Sequence, residues 1–191
     1  MADAVIGKYK LGMLLFIASE ATFFVFLIVA YLYFRGAHAG GAGPTAATSL
    51  DPLKAGMFTA ALLASSATLW LAGRSLVHAR HAMVRAWLLA TLVLGGIFLV
   101  GQGREYQRLL AQHVTVGGNL FGATFFTLTG FHGLHVLLGL VMIAIVFAAS
   151  ATDSLAGPRS EAVEAVSLYW HFVDAVWLVI FAVVYLWIVV R

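Results

Sequence analysis

Residues 119–149 read NLFGATFFTLTGFHGLHVLLGLVMIAIVFAA and contain no Asp, Glu, Lys or Arg. About 20 mostly apolar residues suffice for a helix to cross the hydrocarbon core of a bilayer, and this run exceeds that length. Four flanking stretches have the same character, at about 11–34, 52–77, 83–106 and 161–190. The chain therefore reads as an all-α integral membrane protein, with five transmembrane helices in one bundle and a single membrane domain over residues 1–191. Barrel strands are disfavoured, because they alternate over short segments. Pro52 stands at a favourable helix start, with Asp51 before it as a cap.

Composition agrees with this reading. Of the 191 residues, 62% are hydrophobic and 10% are charged, against about 25% charged in soluble domains. The net charge of +3 is too small for a nucleic-acid binder, and the basic residues lie scattered between apolar blocks. With no cysteine, the chain can hold no disulfide, iron–sulfur cluster, thiolate zinc or copper site, or covalently attached haem. Lys8, Lys10, Arg74, Arg80, Arg85 and Arg159 fall on one side of the expected topology. Arg35, Lys54, Arg104, Arg108 and Arg191 fall on the other. Six against five, together with the dense basic turn at 74–85, predicts an inside N-terminus and an outside C-terminus.

Polar residues within apolar helices mark internal contacts or function, because lipid offers them no partner. Glu20 lies in the first stretch, with Phe16, Phe24, Leu27 and Tyr31 on its helical face. It reads either as a proton-handling or ligand-facing carboxylate or as a protonated acid bonded to a neighbouring helix. In the fourth stretch Thr124, Leu128, His132, His135 and Gly139 share one side. In the fifth, Ser167, His171, Asp174, Leu178 and Tyr185 do so, and His171 and Asp174 stand within reach of an imidazole–carboxylate bond. His132, His135, His171 and Asp174 are accordingly expected to form a structural polar network. The rival readings are haem ligation between facing histidines and a stand-alone transport relay; the lack of an internal repeat disfavours the latter. At the end of the third stretch, Arg104, Glu105 and Arg108 form a membrane-edge cluster suited to lipid phosphate, a partner's carboxylate or simple anchoring. Trp170 is a further candidate for such anchoring.

Four segments carry a specific resemblance: GMLLFIASEATFF at 12–24, GQGREY at 101–106, FGATFFTLTGFHGLHVLLG at 121–139 and YWHFVDAVW at 169–177. Together the chain resembles subunit III of the haem–copper terminal oxidases, in the five-helix form typical of bacteria. Longer members of that family have two further helices at the N-terminal side. The resemblance implies an accessory subunit without cofactors, docked on catalytic subunit I beside the other oxidase subunits in the bacterial cytoplasmic (inner) membrane. Haem and copper would then sit on partner subunits, bound phospholipid on this one, and the complex would be open to supercomplex assembly. The assembly as a whole would reduce oxygen to water and move protons, with this chain non-catalytic and binding no metal. The resemblance also implies that Glu20 matches the family's buried, carbodiimide-reactive carboxylate. The expected donor is cytochrome c; the alternatives are a quinol oxidase subunit III or the related protein associated with nitric oxide reductase.

Overall fold

The computed structural model describes residues 8–37, 50–118, 120–150 and 158–186. These form five helices: α1 (Lys8–Ala37), α2 (Pro52–Val77), α3 (His81–Ala111), α4 (Leu120–Ser150) and α5 (Pro158–Phe181), the last continued by a π-helical turn, Ala182–Leu186. Each contains a stretch long and apolar enough to span a membrane, and no strand occurs among the described residues. Residues 187–190 of the fifth expected helix and the loop at 38–49 lie outside the described residues.

Helices are the favoured answer to the bilayer, because they satisfy their backbone hydrogen bonds within one segment. The ends follow local chemistry. Asp51 caps α2, its Oδ1 accepting from the Lys54 backbone N–H at 3.2 Å, with Pro52 just inside the start. Hydrogen bonds from Lys54 hold the Asp51 carboxyl below its usual range. The cap is therefore intact at neutral pH and is lost only as pH falls through that lowered value. The ends of α2 and α3 fold back so that Arg80 N–H reaches Ser75 C=O and Val114 N–H reaches Leu109 C=O, each at 3.0 Å. Ala79 (φ 52°) and His113 (φ 60°) take the left-handed position that glycine usually fills there.

α3 continues to Ala111, beyond the expected end at 106. The polar residues after Tyr106 look loop-like in sequence but include good helix formers. Arg108 also pairs with Glu105 one turn back, Nη2 to Oε1 at 2.5 Å, and reaches Asp51 at 3.8 Å.

α2 and α3 form a tight antiparallel hairpin, and α4 packs against α3 and α1. α5 packs against α1, α2 and α4, which closes the bundle. The core is aromatic. Trp170, Tyr169, Phe98 and Phe125 are at most 1% exposed, whereas Phe26, Leu15 and Ile145 point outward at 64% or more. An apolar exterior of this kind suits lipid or a membrane partner.

Close packing at the centre depends on two glycines. A Cβ on Gly139 of α4 would sit 2.7 Å from the Trp170 ring; one on Gly95 of α3 would sit 2.7 Å from Leu140 and 2.9 Å from Trp170. The indole of α5 thus lies in a slot cut by glycines on two other helices, the close approach that small residues allow in membranes. Gly139→Ala is expected to destabilise the bundle by about 1–3 kcal/mol through overpacking against a rigid ring. Gly133→Ala, whose Cβ meets nothing within 4 Å, is expected to be close to neutral. Thermal unfolding of both variants in detergent checks the contrast.

Candidate functional site

Two clusters of polar residues stand out inside the spans among the described residues, on opposite sides of α5. In the first, Glu20 of α1 meets His135 of α4, Oε2 to Nε2 at 3.1 Å. The other ring nitrogen, Nδ1, lies 2.7 Å from the Phe131 backbone carbonyl. A carbonyl only accepts, so Nδ1 carries a proton and donates it. In neutral His135, Nε2 is then a bare acceptor. The Glu20 contact consequently requires one shared proton, held either as carboxylic acid and neutral imidazole or as carboxylate and imidazolium. Both placements have zero net charge, which suits a low-dielectric interior. Tyr169 of α5 fixes the same turn from the far side, its hydroxyl donating to the His135 carbonyl at 3.0 Å. Phe24 closes over the imidazole, ring centres 5.0 Å apart.

His132, one turn earlier, does not join this network. It is fully buried, and neither ring nitrogen has a hydrogen-bond partner among the described residues. Its ring stacks on Trp177 at 4.8 Å and meets the edges of Phe98 and Phe24. It packs as an aromatic plate.

In the second cluster, His171 and Asp174 do not bond each other directly. Ser66 of α2 stands between them, hydrogen-bonded to Asp174 Oδ2 and 3.0 Å from His171 Nδ1. Asp174 is 5% exposed, and its Oδ1 is buried with no partner among the described residues. Ser66 was not legible as a site residue; its only signal is a hydroxyl at mid-span in a helix of small residues. This trio is no nucleophilic triad, because the carboxylate engages the serine itself instead of orienting the histidine.

Two tryptophans frame this cluster in the same way. Trp177 Nε1–H donates to Thr59 Oγ1 at 2.9 Å, and Trp170 Nε1–H donates to Ser65 Oγ at 3.0 Å. Each hydroxyl passes its own proton to its helix, Thr59 to Ala55 C=O and Ser65 to Leu62 C=O. Trp170, considered from the sequence for lipid or partner anchoring, is instead completely buried in the glycine slot and reaches neither lipid nor partner.

Of the three edge residues, Glu105 and Arg108 are tied inward. Arg108 binds Glu105 and approaches Asp51, joining the end of α3 to the start of α2, while Arg104 is exposed. Nearby, Tyr106 bonds Thr129 of α4 at 2.8 Å. Thr129 spends its own proton on Phe125 C=O, so the tyrosine is the donor. Among the described residues no group of three or more His, Asp or Glu side chains could hold a metal. His135 has no free ring nitrogen to offer haem iron.

Replacing Glu20 by Leu strands the buried Nε2 of His135 and is expected to cost about 1–3 kcal/mol. Glu20→Gln, which can still donate to that nitrogen, should cost less than about 1 kcal/mol. Chemical denaturation reads the difference. A hydrophobic carbodiimide should label the wild type and not Glu20→Gln.

A family model described as cytochrome c oxidase subunit III matches residues 2–189. A probable cytochrome c oxidase subunit 3 of Mycobacterium leprae is 36% identical over 176 residues, covering 92% of this chain and 86% of that protein. The corresponding protein of Nocardia farcinica is 34% identical with the same coverage. A cytochrome c oxidase subunit 3 of Heterololigo bleekeri is 36% identical over 183 residues, covering 93% of this chain and 70% of that protein.

Proposed function

This chain belongs to the cytochrome c oxidase subunit III family, and we propose that it serves its oxidase complex as a non-catalytic stabilising subunit. It is an accessory subunit III of a haem–copper oxidase, a multi-pass membrane protein associated with other oxidase subunits. In this proposal it lies against catalytic subunit I in a bacterial inner membrane, N-terminus inside, with cytochrome c as electron donor and phospholipid held at its surface. Haem and copper then reside on partner subunits.

The observation that carries the non-catalytic role is the Glu20–His135 contact. The most conspicuous ionisable pair in the spans is spent as a clasp between helices. His135 is held at both ring nitrogens and at its carbonyl, to Glu20, to its own helix and to Tyr169. A group held on three sides is suited to fixing α1, α4 and α5 in register. Such a rigid body can brace a larger neighbour through repeated turnover and keep lipid against the proton-entry side.

Purification of the complex with and without this chain tests the role. Without it, oxygen-reduction activity is expected to begin near normal and to decay faster with turnover, with fewer protons moved per electron. An unchanged activity lifetime and unchanged proton stoichiometry would overturn the proposal.

A further inference from the structure

His171 is the exposed member of the three histidines that lie deep in the spans; His132 and His135 are buried. It stands three positions from residue 174, the centre of the span Ala162–Leu186, which is about 4.5 Å along the helix. Lipid headgroups begin about 15 Å from the mid-plane, so none can meet it there, and acyl chains offer no hydrogen-bonding atom. Its Nδ1 faces Ser66, leaving Nε2 directed away from that bond. Around it run exposed Leu63 and Ala67 on α2 and exposed Ala175 and Leu178 on α5. The two alanines keep the surface low enough for another helix to approach closely.

Resting on the subunit reading above, we propose that this α2–α5 face receives a transmembrane helix of the larger oxidase partner, with a polar side chain at mid-depth that hydrogen-bonds His171 Nε2. The role of that nitrogen is set from inside the bundle. When Asp174 accepts from Ser66, Ser66 accepts from His171 Nδ1–H and Nε2 is an acceptor. When Asp174 is protonated and donates, the chain reverses and Nε2 is a donor. The partner's side chain is therefore one that can serve either state, such as a hydroxyl or a carboxamide. A second copy of this chain fits worse. In a two-fold pair with the two His171 rings on the axis, the Nε2 atoms bond each other only when the two copies hold opposite tautomers, which breaks the symmetry.

The test uses the intact complex in native membranes, with a photo-crosslinking residue placed at Ala67 or Ala175 and, as the comparison, at exposed Leu138 on α4. Irradiation is expected to join the α2–α5 positions to a larger haem-bearing subunit, with little such product from Leu138. His171→Leu should lower partner recovery in detergent about tenfold, the loss of one buried hydrogen bond, and His171→Gln should restore most of it. Adducts to lipid alone, covalent dimers of this chain, or an equal yield from Leu138 would each overturn the assignment. If the wild type still copurifies with haem in those cases, the subunit reading stands and only the face is wrong. A wild type recovered without any haem-bearing partner would bring down both.

Discussion

The shared proton between Glu20 and His135 is the constraint on which the bundle's arrangement rests. The membrane interior tolerates neither a lone carboxylate nor a lone imidazolium. By donating Nδ1–H to the Phe131 carbonyl, His135 leaves a single vacancy at Nε2, and Glu20 fills it. The pair is neutral wherever the proton sits. It therefore ties α1 to α4 without asking the bilayer to solvate a charge. α1 buries few of its side chains, Phe24 and Tyr31 among them, so its polar contacts to other helices carry much of its placement.

The interface of α2 with α5 solves the same problem with hydroxyls. Thr59 and Ser65 each accept from an indole and donate to their own helix, so no polar atom of those two contacts is left over. Indole bulk is accommodated by Gly95 and Gly139, which remove the side chains that would have met Trp170. Packing and hydrogen bonding are thus one arrangement. The slot sets the depth of the tryptophan, and that depth brings its N–H to Ser65. Against this economy, Asp174 Oδ1 and exposed His171 stand out as polar groups with business unfinished inside the chain.

The five spans were legible because length and hydropathy alone decide them, and Glu20 was legible because an acid in such a run needs a reason. Its partner was not. His132 and His135 lie on the same side of α4, and only the rotation of α1 against α4 selects the second. Trp170 misled for a related reason. An aromatic residue in a membrane helix resembles an interfacial anchor until the glycines of two distant segments are seen to converge on it. Ser66 carries no signature of its own, since its role exists only when α5 lies antiparallel to α2. The contact that Arg108 makes from the extended end of α3 reaches Asp51, more than fifty positions earlier in the chain. Periodicity reports on one helix at a time, and these features belong to pairs.

The π-helical turn at Ala182–Leu186 bears on α1 in a way its small size conceals. Arg35 Nη1 donates to the Val183 carbonyl within that turn at 2.7 Å. The first helix is thus pinned twice, by a carboxyl at position 20 and by a guanidinium at position 35, about 22 Å apart along its axis. A single residue inserted between those pins would swing one of them about 100° around the helix. The segment can drift in composition wherever it touches lipid, yet its count from Glu20 to Arg35 is as fixed as the distance between two bolt holes.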